Sequence, residues 1–201
     1  LGMFAGLRGT IEELSAASEA DIEIAATRGS TLSDESIAIE DIASIEGVEH
    51  VATYVEQSVI ATAAGRRIPI MLRGVDSAYF DVIPMAQYLQ YGRLESVAAG
   101  DMILGAALSG SLAAYGIGTQ IELYALNRKQ LSTLLPMSGL SRAKVQLGGI
   151  IDSNADIDAT LALTSIERLQ HLANYPDRLS GIVVSVAENS DKKAICQALE
   201  D

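Results

Sequence analysis

The side chains best suited to chemistry are few in this sequence, and their spacing does not favour catalysis or metal binding. Cys196 is the only cysteine, and His50 and His171 are the only histidines, so the chain forms neither an internal disulfide nor an ordinary zinc site. An isolated cysteine in an apolar stretch is typically a small buried side chain. Neither histidine has a second ligand three or four residues away, which indicates ordinary surface or boundary positions.

Two other patterns imitate functional sites without completing them. The run DSNADID begins like a calcium loop, but Ile157 stands where that loop needs glycine, and Leu163 where it needs glutamate. We therefore interpret residues 152–158 as a solvated hairpin turn, followed by a strand over 159–164. Ser109 in ALSGS lacks the first glycine of a nucleophile elbow.

The glycine-rich stretch GDMILGAALSGSLAAYGIGTQIELY, which begins at Gly100, imitates a phosphate-binding loop in composition only. Ser111 and Leu112 stand where a Walker sequence needs lysine and then serine or threonine. Gly116 and Gly118 lie between a predicted helix and a strand, the reverse of the order in a dinucleotide fold, and we expect them to end that helix. We predict no catalytic, cofactor-binding or metal-binding residue anywhere in the sequence.

Composition and charge narrow the function further. A chain of 201 residues with 49% hydrophobic content is able to bury a core, and its net charge of −12 repels nucleic acids and anionic lipid surfaces. We therefore expect no nucleic-acid partner. The charge is uneven, since residues 1–56 carry a net −10, whereas no acid occurs between Glu122 and Asp152. A basic stretch of this kind is usually only a solvated loop, but its residues are also the best charge-based candidate for a contact surface.

Hydrophobic periodicity predicts a mixture of strands and helices without strict alternation, so the fold class is α+β. The predicted helices are 5–17, a turn around Ile42 and Ile45 that Gly47 ends, 106–114, one starting at Ser165, and one near 191–201. The predicted strands are 21–26, 48–62, 67–74, 102–104, 119–125, 143–151 and 181–187, with an edge position at Pro69.

Six segments in order give the sequence a family resemblance. They are DIEI, IEDIASIEGVEHV, IPIMLRGVD ending in Asp76, ILGAALSGSLAAYGIGTQIEL, VQLGGIIDSNADID and SIERLQHLANYPDRLSGIVVSV. Together they resemble the extracytoplasmic (periplasmic) domain of the ABC-transporter permeases that include LolC, LolE and MacB. In that family the domain lies between the first and second transmembrane helices, so LGMFAGLRG would be the stub of a membrane helix.

The resemblance implies a two-part organisation. Residues 1–19 would be a membrane-proximal helix, and residues 20–75 with 181–201 would form a porter-like α/β subdomain from both chain ends. Residues 76–180 would be an inserted mixed α+β subdomain. The C-terminus would stop short of a final porter-like strand, which leaves one sheet edge unpaired.

The resemblance also implies a function for residues 126–142. In LolC-like members a projecting β-hairpin at this position recruits the periplasmic carrier that removes a released lipoprotein. The implied partner-binding residues here are Arg128, Lys129, Leu135, Pro136, Met137 and Arg142. The arrangement of glycine and basic residues differs from the LolC-like pattern, and LolE-like and MacB-like members use this region otherwise.

The function implied is that of a non-catalytic domain on the periplasmic face of the inner membrane, within an integral membrane ABC permease for lipoprotein release. Its partners would be an ABC ATPase subunit, a second permease copy or homologue, and a lipoprotein with its carrier. It would need no cofactor. Two alternatives stay open: an FtsX-like interaction module that activates a cell-wall hydrolase, and a soluble enzyme with an unrecognised site.

Overall fold

The fold is α+β, as predicted, with parallel and antiparallel strand pairs in one sheet. The computed structural model describes residues 9–13, 20–26, 32–33, 39–126, 140–174, 176 and 178–200. The strands are β1 Gly9–Glu13, β2 Ile22–Ala26, β3 Leu32–Ser33, β4 Val48–Ala63, β5 Arg66–Val75, β6 Leu89–Gly92, β7 Met102–Gly105, β8 Gln120–Leu126, β9 Leu140–Ile151, β10 Ala162–Ser165, β11 Arg178–Leu179 and β12 Gly181–Val186. The helices are α1 Ile39–Ala43, α2 Tyr79–Val82, α3 Ala106–Leu112, α4 Ala155–Thr160, α5 Ile166–Ala173 and α6 Lys192–Glu200, with short 3-10 helices at Met85–Tyr88 and Leu94–Ala99.

The chain divides into two compact units. Unit 1 comprises Leu1–Val55, Asp76–Pro84 and Asp177–Asp201, and unit 2 comprises Glu56–Val75 and Met85–Pro176. Residues 56–75 therefore group with unit 2, not with residues 20–55 as the resemblance implied. The units differ in charge, because unit 1 has 5 Lys and Arg against 18 Asp and Glu, whereas unit 2 has 9 against 8.

Unit 1 is built on four strands in the order β1, β2, β12 and β4. The alternation in DIEI predicts a half-buried strand, and β2 confirms it, because Ile22 and Ile24 are buried while Glu23 is only partly so. All six residues of β12 are buried, and the strand is paired on both edges, with β2 and with β4. Gly47 ends the turn after α1 at a φ of +93°, which confirms its predicted role as a left-handed stop.

The helix predicted over residues 5–17 is wrong where the structure describes the chain. Residues 9–13 form β1, which pairs antiparallel with β2 from Gly9↔Ala26 to Glu13↔Ile22. The spacing of Leu7, Ile11 and Leu14 fits a helix, but pairing along an existing strand edge overrides such a local preference. Residues 1–8 and 14–19, which complete the predicted membrane-proximal helix, lie outside the described residues.

Unit 2 contains a closed ring of six strands: the second half of β4, then β5, β10, β7, β9, β8, and back to β4. β5 pairs with β10 in parallel and β7 with β9 in parallel, whereas β8 runs antiparallel to both of its neighbours. Helix α5 contacts β5, β8, β9 and β10, so it packs across the ring. Its start at Ser165, whose hydroxyl accepts a bond from the Arg168 N–H, confirms the prediction.

Two local predictions in unit 2 need correction. Residues 155–160 are the helix α4, not part of a hairpin turn and strand, because the Asn154 side chain accepts hydrogen bonds from the N–H groups of Asp156 and Ile157 and caps a helix. Helix α3 ends at Leu112 and is capped by Ala113, with φ of +53°, before the two glycines expected to end it. The edge position predicted at Pro69 agrees with the pairing, because β10 pairs only with residues 73–75 of β5.

Among the residues that the structure describes, no helix combines the length and apolar character needed to cross a bilayer.

Candidate functional site

The candidate site is a two-stranded ribbon formed by β8 and β9. The strands pair antiparallel from Gln120↔Gln146 to Leu126↔Leu140, and residues 127–139 join them in sequence. Of the six predicted partner-binding residues, only Arg142 lies within the described residues, where it is exposed on β9. The other five lie outside them: Arg128, Lys129, Leu135, Pro136 and Met137. The ribbon is thus the described foundation of the predicted contact segment.

The alternation of buried and outward side chains fixes the ribbon in register. Ile121, Leu123 and Ala125 are completely buried, while the alternating Glu122 and Tyr124 are partly exposed. A shift of the strand pairing by one residue would bury the polar side chains and expose the apolar ones, so the shift would cost free energy. The root of segment 127–139 is therefore held by a packed sheet.

Glu122 is the electrostatic centre of the outward side. The Tyr124 hydroxyl donates a hydrogen bond of 2.7 Å to Glu122 Oε2, and the Lys144 Nζ lies 3.5 Å from Glu122 Oε1. The Tyr124 hydrogen bond is the largest cause that lowers the pKa of Glu122 below its ordinary value; desolvation opposes it, and the nearby cations Arg142 and Lys144 lower the pKa further. A carboxylate held ionised in this way is suited to ordering neighbouring cations and not to donating a proton.

Arg142 lies directly opposite Tyr124 in the β8–β9 register. The side chains of such opposed residues project from the same side of a sheet, so a guanidinium and a phenol ring stand beside each other at the root of the segment. Guanidinium and aromatic groups are both enriched where proteins bind other proteins. The arrangement is fitted to making contacts, because it presents hydrogen-bond donors on a rigid strand.

Ordinary structural positions are occupied by the other candidate residues of the sequence, which are Ser109, the two histidines and Cys196. Ser109 is buried, and its hydroxyl donates a 2.5 Å hydrogen bond to the Ala114 carbonyl. His50 and His171 are exposed, and Cys196 is half-buried, less enclosed than predicted, because it lies on the rim of the buried face of α6. Across the described ranges, no three Asp, Glu, His or Cys side chains are grouped closely enough to hold a metal ion.

Sequence reasoning missed the function of Asp76, although this residue closes one of the six family segments. Asp76 Oδ2 accepts hydrogen bonds from Thr53 N at 2.6 Å and Thr53 Oγ1 at 2.7 Å, and Oδ1 accepts one from Ala78 N at 3.0 Å. β5 ends at Val75, and beyond that point the Asp76 carboxylate accepts the hydrogen bond from the Thr53 N–H of β4 that a paired strand would otherwise accept. An aspartate directly after a strand is the only sequence signal of this anchor.

Comparison with known proteins gives a consistent result. The family model described as the MacB-like periplasmic core domain matches residues 1–201. The periplasmic region of MacB from Actinobacillus actinomycetemcomitans has a similar structure, at 14% identity and a TM-score of 0.59, over 86% of this chain and 73% of that chain. The extracellular domain of the ABC-type transporter YknZ from Gram-positive bacteria is similar at 17% identity and a TM-score of 0.56, over 82% and 78%. No curated protein matches the sequence. At these identities the structural likeness shows the fold.

Proposed function

Because the chain belongs to the family of MacB-like periplasmic core domains over its whole length, we propose that it transmits ATP-driven motion of membrane helices to a substrate handed over outside the membrane. The domain lies on the extracytoplasmic side of the membrane, as part of an ABC permease. In our proposal the substrate is a lipoprotein. The domain itself is non-catalytic, and a separate cytoplasmic subunit or domain hydrolyses ATP.

The β8–β9 ribbon is the observation that carries the handover proposal. It holds the root of segment 127–139 in a fixed register and lines it with Arg142, Lys144 and Tyr124. A segment presented on a rigid base loses less conformational entropy when it binds, so the same contacts give a higher affinity. We propose that Arg128, Lys129, Leu135, Pro136 and Met137 extend this surface and that the whole segment contacts the carrier that receives the lipoprotein.

Two features of the described residues support a mechanical function. The conspicuous polar side chains each stabilise the fold, since Ser109 bonds to the end of α3, Asn154 caps α4, and Asp76 anchors β4. The closed ring of unit 2 also gives the domain a stiff body, because each of its six strands is paired on both edges. A stiff body transmits displacement with little loss.

We further propose that unit 1 is the porter-like subdomain and that unit 2 is the inserted α+β subdomain. This assignment is supported by the discontinuity of unit 1, which takes residues from both ends of the chain, and by the continuity of residues 85–176 in unit 2. The remaining partners follow from the permease: an ABC ATPase subunit, and a second copy or homologue of the permease.

The experiment is a lipoprotein release assay with the full-length permease and its ATPase in proteoliposomes. Residues 127–139 are replaced by a glycine and serine linker of equal length, and ATP hydrolysis and release of a lipid-labelled lipoprotein to soluble carrier are both measured. We expect ATP hydrolysis to continue and release to fall to background. The control variant Ile117→Ser changes an exposed apolar residue elsewhere in unit 2 and is expected to release normally.

Normal release by the linker variant would contradict the function proposed for the segment. If the wild-type permease releases no lipoprotein but its domain binds and activates a purified cell-wall hydrolase, the FtsX-like alternative replaces the proposal. ATP turnover by the isolated domain would contradict its non-catalytic function.

A further inference from the structure

The outer surface of four neighbouring ring strands combines apolar and basic side chains. The strands lie in the order β5, β4, β8 and β9, and we call the residues that point away from the ring interior the outer face. The alternating residues that point inward, such as Val59, Leu72 and Leu123, are buried. The outward side chains are therefore exposed because side chains alternate in direction along each strand, and not because the strands are poorly packed.

An apolar patch occupies the middle of the outer face. Ile60 is 40% exposed, Met71 49% and Leu140 51%, and these are three of the six large apolar residues that are exposed in the described part of the chain. Ile60 pairs with Tyr124, and Tyr124 pairs with Arg142, so these side chains form one row across β4, β8 and β9. Exposed apolar residues that gather on one rigid face, and are not scattered singly, mark an interaction surface.

Positive charge surrounds this patch. The outer face carries two carboxylates, Glu56 and Glu122, and each already contacts a cation of the same face: Arg73 lies 2.7 Å from Glu56, and Lys144 lies 3.5 Å from Glu122. Two more arginines on the face, Arg67 and Arg142, are exposed. The outer face has a net charge of +2, whereas the chain has a net charge of −12, so the charge of the face is opposite in sign to that of the chain.

These charges select one kind of occupant. A second copy docking through the same face would bring one net charge of +2 against another, and the two would repel. An anionic lipid surface extends beyond the outer face and would meet the net charge of −12 on the chain, whereas a protein partner contacts the outer face alone. A protein whose contact surface is apolar at the centre and acidic at the rim meets neither objection, because it complements both the patch and its border.

We propose that the outer face of β5, β4, β8 and β9 docks a protein partner that has an apolar contact centre bordered by carboxylates. The inference rests on the proposed function, because Leu140 and Arg142 belong both to the outer face and to the root of segment 127–139. The face extends that contact across the ring as far as Met71.

Site-specific photocrosslinking in the full-length permease in cells tests the proposal. Benzoylphenylalanine is placed at Ile60 or at Met71, and at Ile117 as the matched control, which is 52% exposed but lies outside the outer face. Crosslinked proteins are identified by mass spectrometry. We expect one extracytoplasmic protein to be captured from Ile60 and from Met71, and not from Ile117.

The captured protein is then purified and titrated against the domain. We expect Arg67→Glu and Arg142→Glu each to weaken binding about tenfold, with a steeper loss at high salt for the wild type than for the variants. Arg93→Glu, an exposed charge reversal in unit 2 away from the face, is expected to leave the affinity unchanged. Circular dichroism confirms that each variant is folded.

The proposal is overturned by no adduct at Ile60 and Met71, by adducts only with a second copy of the chain or with lipid, or by equal capture from Ile117. It is equally overturned when both charge reversals leave the affinity unchanged. The two proposals can fail separately. If the linker variant loses release but no adducts form on the outer face, the function of segment 127–139 is supported and the docking face is not. Adducts on the face with normal release in the linker variant would leave the face standing alone.

Discussion

Replacing Asp76 with alanine should destabilise unit 1, because this carboxylate holds β4 through two hydrogen bonds from Thr53. The change removes an acceptor of three hydrogen bonds, two from Thr53 and one from Ala78. Thr53 is only 7% exposed, so its N–H has no ready water to replace the carboxylate. Solvent reaches Ala78 more easily, because this residue is only partly buried.

The expected loss follows from these differences. A hydrogen bond to a charged acceptor contributes about 1.5–3 kcal/mol, and an unsatisfied buried N–H costs about 1–3 kcal/mol. Because the Thr53 N–H dominates and the Ala78 N–H is rehydrated, we expect Asp76→Ala to lower the free energy of unfolding by about 2–4 kcal/mol. Asp76→Asn keeps one oxygen for Thr53 but turns an amide NH₂ towards Ala78, so its loss should be about 1 kcal/mol.

Urea unfolding followed by circular dichroism measures both variants against the control Asp81→Ala, an exposed aspartate five residues further along the chain. The control should stay within about 0.5 kcal/mol of the wild type. A loss below about 0.5 kcal/mol for Asp76→Ala, or equal losses for alanine and asparagine, would refute the anchor reasoning.

Three further predictions concern unit 2. Tyr124→Phe removes the largest cause of the lowered pKa of Glu122, so NMR titration should show that pKa rising towards its ordinary value of 4.5; a pKa that does not move would contradict the assignment. Since the folded pKa is depressed, the stability from Glu122 is present above pH 4.5 and is lost as pH falls through the lower folded pKa; pH-dependent unfolding should show less of this loss in Tyr124→Phe. Asn154→Ala removes the cap of α4 and should cost about 1 kcal/mol in urea unfolding, while Asn154→Ser, which keeps a cap, should cost less than half of that. Leu123→Ala opens a cavity at a completely buried site and should cost about 2–5 kcal/mol, whereas Ile60→Ala on the opposite side of the sheet should cost under about 1 kcal/mol; equal costs would mean that the inward and outward sides are misassigned.

Elements with a clean period and a clear end signal were predictable from sequence. β12 reads as a continuous apolar run, and α5 begins at a serine cap and keeps Leu169 and Leu172 on its buried face. Where two signals compete, the prediction fails. Residues 152–164 combine acidic turn residues with an apolar alternation, and a single side-chain cap at Asn154 decides for a helix.

Closure of the ring was beyond sequence reasoning, because it depends on pairings between distant residues. Thr62 pairs with Glu122, and Arg73 pairs with Leu163, and neither contact leaves a local pattern. The same holds for the candidate site. The charge distribution pointed to Arg142 and its neighbours, but the row from Ile60 to Arg142 exists only once β4 and β8 are adjacent. The anchor at Asp76 similarly needs β4 and the end of β5 in place.

The position of β12 has a consequence for how the domain is made. β12 is the last strand that the structure describes, yet it lies between β2 and β4 in unit 1, whereas unit 2 ends at Pro176. A chain that emerges with its N-terminus first exposes every residue of unit 2 before β12 appears. We therefore expect unit 2 to fold early during export. Until β12 is exported, one edge of β2 stays unpaired and accessible to proteases and to other chains. The vulnerable period of biogenesis ends only when Gly181–Val186 arrives.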